Sequence, residues 1–317
     1  MWWKILNLAD TAPFPGVLGE LDAISEVVSL PATVENLERE LPRADAYLCA
    51  LSLRLGEELI QQCGQLKIVC TPSTGWDHLD QESLCRQGVE LLSLRGENEF
   101  LGSITATAEL AWGLLLAVER RLRSAIRLAG EGVWARDGCR GHQLSGKTLG
   151  ILGYGRLGRI VAEYGRAFRM RVIACDNQRR DDPEGIESVS MDDVLRLSDV
   201  LSIHVHLTSE NIHLIGREQI ARMKPGAVII NTSRGAVIDE SALLEALETG
   251  HLMGAGLDVI DGEWNTDLPS HPLIRYARDH ENLVITPHVG GVTNESQRAA
   301  YAFMVGKLKS RILNWDG

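Results

Sequence analysis

Residues 148–158 read TLGILGYGRLG, an apolar run followed by three closely spaced glycines. The pattern predicts a strand, a tight turn and the beginning of a helix. Gly153 would permit the turn, Gly155 would let the backbone approach a pyrophosphate, and Gly158 would let the helix pack close to the strand. Because these signals occur in order, the stretch predicts a Rossmann-type dinucleotide site rather than a glycine-rich turn without a ligand.

The residues after the glycines indicate which dinucleotide is bound. Arg156 precedes the predicted helix, which begins at Leu157, and the first N–H groups there would be directed at the phosphates. Asp176 follows the next apolar run, close to the ~20 residues at which such folds carry a ribose-binding acid. A carboxylate there would bind the adenosine ribose and repel a 2′-phosphate, which favours NAD over NADP. Arg179 and Arg180 could instead accommodate that phosphate, so NADP stays open.

Short apolar runs alternate with helix-like segments on both sides of this motif. Before it, the predicted strands are 4–8, 46–49 and 66–70, and the predicted helices are 33–40, 56–62 and a long Ala- and Leu-rich one at 105–123. From 148 on, the predicted strands are 149–152, 171–175, 200–204, 227–231, 254–258 and 283–286, and the predicted helices are 157–168, 240–248 and 294–314. The alternation predicts two parallel α/β domains, with a ligand in the cleft between them.

Composition limits the possible partners. The chain has 317 residues, 44% of them hydrophobic, which fits about two domains. A formal net charge of −11 argues against a nucleic acid. We found no apolar run long enough for a membrane span and no signal peptide. None of the six cysteines stands in a CxxC pair, so we expect no metal site and a reducing, cytoplasmic setting.

Three polar residues follow the later strands. Arg234 comes just after the apolar run 227–231, Glu263 lies past the run 254–258, and His288 follows the run 283–286. Alone, each is more often a surface ion pair, a solvated loop residue or a core histidine. Together, they suit oxidation of a 2-hydroxy acid, because an arginine can hold the carboxylate and a histidine can take the hydroxyl proton. A carboxylate on the other imidazole nitrogen favours the protonated ring.

At this point the chain resembles the D-isomer-specific 2-hydroxyacid dehydrogenase family, over nearly its whole length. The matching stretches are TGWDHLD at 74–80, ATAE at 106–109, Trp134, LSGKTLGILGYG at 144–155, SIHV at 202–205, MKPG at 223–226, NTSRGAVID at 231–239, GLDV at 256–259 and TPHVGG at 286–291. The resemblance implies an NAD-dependent oxidoreductase that interconverts a small D-2-hydroxy acid and its 2-oxo acid. It places Arg234, Glu263 and His288 on the family's catalytic arginine, glutamate and histidine.

The resemblance also implies binding contacts. Asp258 falls where the nicotinamide carboxamide is held, and Thr232 falls on a further cofactor contact. The segment of His204, Val205 and His206 falls on another. The backbone amides of Thr74 and Gly75 fall where the substrate carboxylate is bound.

The fold implied has two doubly wound parallel-sheet domains. A Rossmann NAD-binding domain at 99–289 is inserted into a flavodoxin-like substrate domain made of 1–98 and 290–317. The family is usually homodimeric, through the cofactor domain and the helix near 105–123. We therefore expect a homodimer.

Some positions depart from the family pattern. His206 and Trp264 each replace a usual proline, and Trp264 follows the catalytic glutamate directly, so its loop could run differently. The stretch 50–53 lacks an arginine typical of members that act on phosphoglycerate. A different hypothesis is an NAD(H)-sensing, corepressor-like binding protein of the same fold without physiological turnover. The three catalytic residues do not separate it from an enzyme.

Overall fold

The described residues of the computed structural model are 2–177, 186–264 and 267–315, and their strands form two wholly parallel sheets. The strands are β1 Trp3–Asn7, β2 Ser25–Ser29, β3 Ala46–Leu48, β4 Ile68–Cys70, β5 Glu90–Leu92, β6 Thr148–Leu152, β7 Arg171–Cys175, β8 Glu187–Ser188, β9 Val200–Ile203, β10 Ala227–Asn231, β11 Leu252–Leu257 and β12 Leu283–Ile285. The helices are α1 Gly19–Asp22, α2 Val34–Glu40, α3 Glu57–Ile60, α4 Gln81–Arg86, α5 Asn98–Gly102, α6 Ala106–Glu119, α7 Leu122–Gly130, α8 Arg156–Ala167, α9 Met191–Leu197, α10 Arg217–Arg222, α11 Glu240–Glu248, α12 Pro272–Asp279 and α13 Asn294–Leu313.

The chain divides into two units, residues 1–104 with 294–317 (the first unit) and residues 105–293 (the second unit). Each contains one of the sheets. The assignment of 1–98 with 290–317 to substrate and of 99–289 to cofactor stays a prediction.

The sheet of the first unit has the strand order β2-β1-β3-β4-β5. This is the order of flavodoxin-like doubly wound sheets. Alternate strand residues are buried on opposite faces, as the pleat requires. Ile5 and Ile68 pack with α13 on one face, while Leu6, Tyr47 and Val69 pack with α2 and α4 on the other.

The sheet of the second unit has the strand order β12-β11-β10-β9-β6-β7-β8. It contains the Rossmann order with one further strand at the edge, and β6 and β9 lie side by side where the order reverses. Ile151 and Val228 pack against α6 and α8 on one face, and Ile203 and Ile229 pack against α9 to α12 on the other. These two layered sheets confirm the predicted fold class. Because all strands are parallel, the loops that follow β6, β9, β10, β11 and β12 lie along one edge.

The helix predicted at 105–123 is shorter than expected. It ends at Glu119, and Arg121 has a left-handed backbone with φ of 51° before α7 begins. Glu119 fixes the end, because its carboxylate binds Nζ of Lys147 at 2.7 Å and its carbonyl accepts the N–H of His142 at 2.8 Å. These partners lie far along the sequence, so the local Ala- and Leu-rich pattern did not indicate the break.

Among the residues that the structure describes, one segment, Asn98–Glu119, is long and apolar enough to cross a membrane by length and composition, with a mean hydropathy of 1.5. It forms two helices, α5 and α6. Ala108 and Leu114 of α6 are buried against the sheet of the second unit. Its apolar composition is therefore accounted for by a core helix.

Candidate active site

The glycine loop after β6 is held by backbone packing. The N–H of Gly153 donates to the carbonyl of Cys175 at 2.8 Å, and its φ of 93° favours glycine. A Cβ at Gly153 would lie 2.8 Å from backbone atoms of His204. A Cβ at Gly158 would overlap the carbonyl oxygen of Gly153. These two glycines are thus required by the close approach of strand, loop and helix.

Gly155 differs from the other two glycines. Its φ of −79° suits any residue, and a Cβ there would meet no protein atom within 4 Å. The fold itself therefore has no need of glycine at this position, whereas a phosphate approaching the backbone would. The helix that follows, α8, begins with Arg156 and Leu157, and Gly155 offers no side-chain cap for its first N–H groups. This cradle fits a dinucleotide pyrophosphate.

Asp176 follows β7 and turns back to the glycine loop. Its Oδ2 accepts the N–H of Tyr154 at 2.7 Å. The carboxylate thus supports the loop from the side where an adenosine ribose would lie in a Rossmann domain. The sequence did not indicate this contact, because it depends on the register of β6 and β7. Arg179 and Arg180, which left NADP open, lie outside the described residues.

Directly after β9 and β10, two buried polar atoms have no hydrogen-bond partner within the described part of the chain: Nδ1 of His204 and Oγ1 of Thr232. Nε2 of His204 contacts Oγ of Ser202 at 2.8 Å, and burial lowers the pKa of His204 to about 4. A neutral histidine and a hydroxyl group, each with an unused polar atom, suit a neutral polar group of a ligand. They are consistent with the predicted cofactor contacts.

The other two residues of the segment after β9 have structural contacts. Val205 lies over the glycine loop, since its Cγ1 would be 3.0 Å from a Cβ at Gly153. The carbonyl of His206 accepts Nδ2 of Asn211 at 2.6 Å. This bond uses a main-chain carbonyl, which a proline at position 206 would also offer, so it does not depend on the replacement.

His288 and Glu263 are in direct contact. Nδ1 of His288 lies 2.6 Å from Oε1 of Glu263, with side-chain exposures of 29% and 17%. An ionised carboxylate only accepts hydrogen bonds, so Nδ1 carries the proton and donates it. Nε2 is then the ring atom left for proton transfer. The φ of His288 is 54°, a left-handed conformation uncommon outside glycine, which is typical of functional sites.

The backbone around His288 is fixed by Asp258. The buried carboxylate of Asp258 accepts hydrogen bonds from the Thr286 hydroxyl at 2.6 Å, the N–H of Val289 at 2.9 Å and the N–H of Gly290 at 2.7 Å. The N–H of His288 donates to the backbone carbonyl of Asp258 at 2.8 Å. Asp258 therefore shapes the loop that presents the histidine, a role that sequence reasoning missed. Its predicted contact with nicotinamide stays a prediction.

Arg234 lies in the loop after β10, and Asn231 stabilises that loop. Nδ2 of Asn231 donates to the carbonyl of Arg234 at 2.9 Å, and its Oδ1 accepts the N–H of Ser233 at 2.9 Å. The next residue, Gly235, packs directly on the backbone of Ile260, because a Cβ there would overlap it. The loops that carry the arginine and the glutamate are thus in contact.

Trp264 packs against the histidine. Its ring stacks on that of His288 with centroids 5.8 Å apart and an interplanar angle of 28°. The replacement of the usual proline left open whether this loop runs differently. Glu263 nevertheless reaches His288, and the tryptophan adds an aromatic surface beside it.

Thr74 and Gly75 lie in the loop after β4, in the first unit. Ser73 organises this loop, because its hydroxyl contacts Oγ1 of Thr71 at 3.0 Å and donates to the carbonyl of Gly75. The backbone carbonyl of Ser73 accepts the N–H of Leu94 at 3.0 Å. That the amides of Thr74 and Gly75 bind a substrate carboxylate stays a prediction.

A Rossmann-type unit with a histidine–glutamate pair beside an arginine loop defines the class of nicotinamide-dependent oxidoreductases. Comparison with known proteins gives the family. The model of the D-isomer specific 2-hydroxyacid dehydrogenase NAD binding domain matches residues 112–290. The chain is 36% identical to a hydroxypyruvate reductase of Thermotoga maritima, over 88% of this chain and 90% of that protein. It is 37% identical to a glyoxylate reductase of Aeropyrum pernix, over 90% and 87%.

A solved structure extends the likeness to the whole fold. D-lactate dehydrogenase of Aquifex aeolicus, complexed with NAD and lactic acid, gives a TM-score of 0.86 at 28% identity, covering 98% of this chain and 96% of that one. The chain therefore belongs to the D-isomer-specific 2-hydroxyacid dehydrogenase family. The predicted family and the predicted activity, hydride transfer between a nicotinamide dinucleotide and a 2-hydroxy acid, are confirmed.

Proposed function

We propose that His288 is the acid/base in the reduction of a small 2-oxo acid to the D-2-hydroxy acid and in the reverse oxidation. The observation that carries this assignment is the 2.6 Å contact of Nδ1 of His288 with Glu263. It leaves Nε2 for proton transfer and places a negative charge where the ring becomes positive. The contact of the Arg234 loop with the turn that carries Glu263, through Gly235, supports a common site for the three residues.

Each residue then has a defined task. When bound, the dinucleotide supplies the hydride to C2 of the 2-oxo acid or accepts it from the 2-hydroxy acid. Nε2 of His288 donates a proton to the carbonyl oxygen in reduction and removes it from the hydroxyl in oxidation. Glu263 stabilises the protonated ring. Arg234 binds the substrate carboxylate with two parallel hydrogen bonds and polarises the carbonyl.

We propose NAD rather than NADP as the cofactor. The carboxylate of Asp176 is held beside the glycine loop by the N–H of Tyr154. A negative charge at that position favours ribose hydroxyls and disfavours a 2′-phosphate. Thr232 and His204 would then meet polar groups of the cofactor with their unused atoms, and Asp258 the nicotinamide carboxamide.

For the substrate we propose the glyoxylate and hydroxypyruvate class. The support is the identity with a hydroxypyruvate reductase and a glyoxylate reductase over most of both chains. The test is oxidation of NADH and of NADPH with a panel of glyoxylate, hydroxypyruvate, pyruvate and branched 2-oxo acids. We expect turnover with the first two and a preference for NADH. Tight NADH binding with no turnover of any acid would refute the enzyme and favour the sensor hypothesis.

We also propose a homodimer. In the second unit, α7 and the residues after it expose a series of large apolar side chains: Leu122, Ile126, Val133 and Trp134. Trp134 is 89% exposed and Ile126 is 70% exposed. An apolar surface of this kind is typical of a protein interface. Light scattering should give twice the chain mass of 34.9 kDa, and Trp134→Asp with Ile126→Asp should give monomers. A monomeric wild-type protein would contradict the proposal.

A reducing, cytoplasmic setting is proposed for the same protein. All six cysteines lie within the described residues and are free thiols. Burial raises the pKa of Cys49 to about 12 and that of Cys63 to about 11, so these thiols stay protonated. Unpaired thiols are the rule in reducing compartments.

A further inference from the structure

A second contact between a glutamate and a histidine lies beside the turn that carries Glu263. Glu240, the first residue of α11, directs Oε1 at the N–H of Asp261, which donates at 2.7 Å. Its Oε2 lies 3.2 Å from Nε2 of His271, and both side chains are largely buried. Burial raises the pKa of Glu240. A glutamate that is desolvated and bonded on both oxygens is held in one position.

The turn at 261–264 also contacts His288, through the carboxylate of Glu263 and the ring of Trp264. Gly262 has a φ of 70°, and the N–H of Ile260 donates to Oε2 of Glu263 at 3.4 Å. Of the side chains that the structure describes outside this turn, Glu240 is the one that accepts a hydrogen bond from its backbone. On the other side, the backbone of Ile260 and Asp261 packs directly on Gly235. The turn is thus held between a glycine and a carboxylate.

We propose that Glu240 is a positioning residue, which sets the turn at 261–264 and through it the contact of Glu263 with His288. The inference rests on the proposed function, since turnover depends on this contact only if His288 is the acid/base. The contact measures 2.6 Å. A displacement of the turn by about 1 Å would weaken it steeply, because hydrogen bonds need about 2.7–3.2 Å. Misplacement of about this size costs roughly 100-fold in rate.

Two substitutions of Glu240 separate the effect of its side-chain length from the effect of its charge. Glu240→Asp keeps the charge at the beginning of α11 but withdraws the carboxylate from Asp261. We expect kcat to fall about 10- to 100-fold, while the Kd for NADH stays within about twofold because the glycine loop is untouched. Glu240→Gln keeps an oxygen at full reach, and we expect it to retain kcat within about threefold. A role in fold stability alone would not produce this difference between kcat and Kd.

Glu245→Asp is the matched control. Glu245 lies on the same helix but is exposed and pairs with Arg217, remote from the turn, so every parameter should stay at the wild-type value. Hydrogen exchange of the Asp261 amide gives a readout independent of turnover, and it should be faster in Glu240→Asp and unchanged in Glu240→Gln.

The proposal is overturned if Glu240→Asp retains kcat, if Glu240→Gln loses as much as Glu240→Asp, or if the Asp261 amide exchanges at one rate in all variants. Failure of the proposed function would be seen separately, as wild-type protein without turnover.

Discussion

Gly155→Ala should weaken cofactor binding without weakening the fold. The backbone there is extended, with φ of −79° and ψ of −157°, and a Cβ would meet no protein atom within 4 Å. Alanine makes the unfolded chain less flexible than glycine does, and this stabilises the folded state by about 0.4–1 kcal/mol. Alanine is a poorer helix N-cap than glycine by a similar amount. The free energy of unfolding should therefore change by less than about 0.5 kcal/mol.

The affinity should respond much more. A methyl group at Gly155 would hold a pyrophosphate away from the N–H groups at the beginning of α8. Loss of one charge-assisted hydrogen bond costs about 1.5–3 kcal/mol. At 1.4 kcal/mol per tenfold, the Kd for NADH should rise about 10- to 100-fold. Isothermal titration gives the Kd, and urea unfolding followed by circular dichroism gives the stability.

The control is Gly113→Ala in α6. Gly113 is exposed and helical, with equally open space around its Cβ position. This change should add about 0.5–1 kcal/mol of stability and leave the Kd unchanged. If Gly155→Ala binds NADH as tightly as Gly113→Ala does, the assignment of the cradle to the pyrophosphate is refuted.

Three substitutions test the remaining roles. His288→Asn tolerates the left-handed backbone, so we expect turnover to fall at least 100-fold with the Kd for NADH unchanged; full activity by steady-state assay would remove His288 as the acid/base. Arg234→Lys should lower kcat/KM about 10- to 100-fold, because an ammonium cannot form the bidentate pair; a wild-type value would mean that the carboxylate is bound elsewhere. Asp176→Ala should reduce the ratio of kcat/KM for NADH to that for NADPH, and an unchanged ratio would contradict the ribose assignment.

Sequence patterns predicted the interior of both sheets but missed three of their four edge strands. The predicted strands 171–175 and 227–231 and the helix 240–248 match β7, β10 and α11 residue for residue. The strands β2, β5 and β8 were not predicted, and each is an edge strand of its sheet, whereas the fourth edge strand, β12, was predicted at 283–286. The three missed strands are partly exposed, so they lack the continuous apolar run by which buried parallel strands are recognised.

In the site as well, local sequence patterns indicated the candidate residues but not the tertiary contacts that hold them. Arg234, Glu263 and His288 were predicted as one set because each follows a buried run, and strand ends in a parallel sheet meet at one edge. The contact of Asp176 with Tyr154 was not foreseen, and neither was that of Glu240 with Asp261. These contacts depend on strand register and on how a turn packs against a helix, and no short stretch of sequence carries that information.

The buried ion pair at the end of α6 allows a test of the fold apart from the chemistry. The side chain of Glu119 is 0% exposed, and both of its oxygens lie 2.7 Å from Nζ of Lys147. Lys147→Met would leave that carboxylate buried and unpaired, which costs about 3–5 kcal/mol. Replacing both partners of a buried ion pair by apolar residues, in contrast, often leaves the stability unchanged. We therefore expect Lys147→Met to destabilise strongly and the double variant Glu119→Leu with Lys147→Met to recover most of the loss.

The comparison pair is Asp199 and Lys224, whose side chains are 32% and 38% exposed at a separation of 2.8 Å. Solvent screens this pair, so Lys224→Met should cost about 1 kcal/mol or less. Urea unfolding of the four proteins measures the difference directly. If Lys147→Met lowers the free energy of unfolding no more than Lys224→Met does, then Glu119 is not desolvated as its burial implies. The explanation of why α6 ends at Glu119 would then be wrong as well. A large cost for Lys147→Met that the double variant recovers would place the cause in the unpaired charge rather than in lost packing.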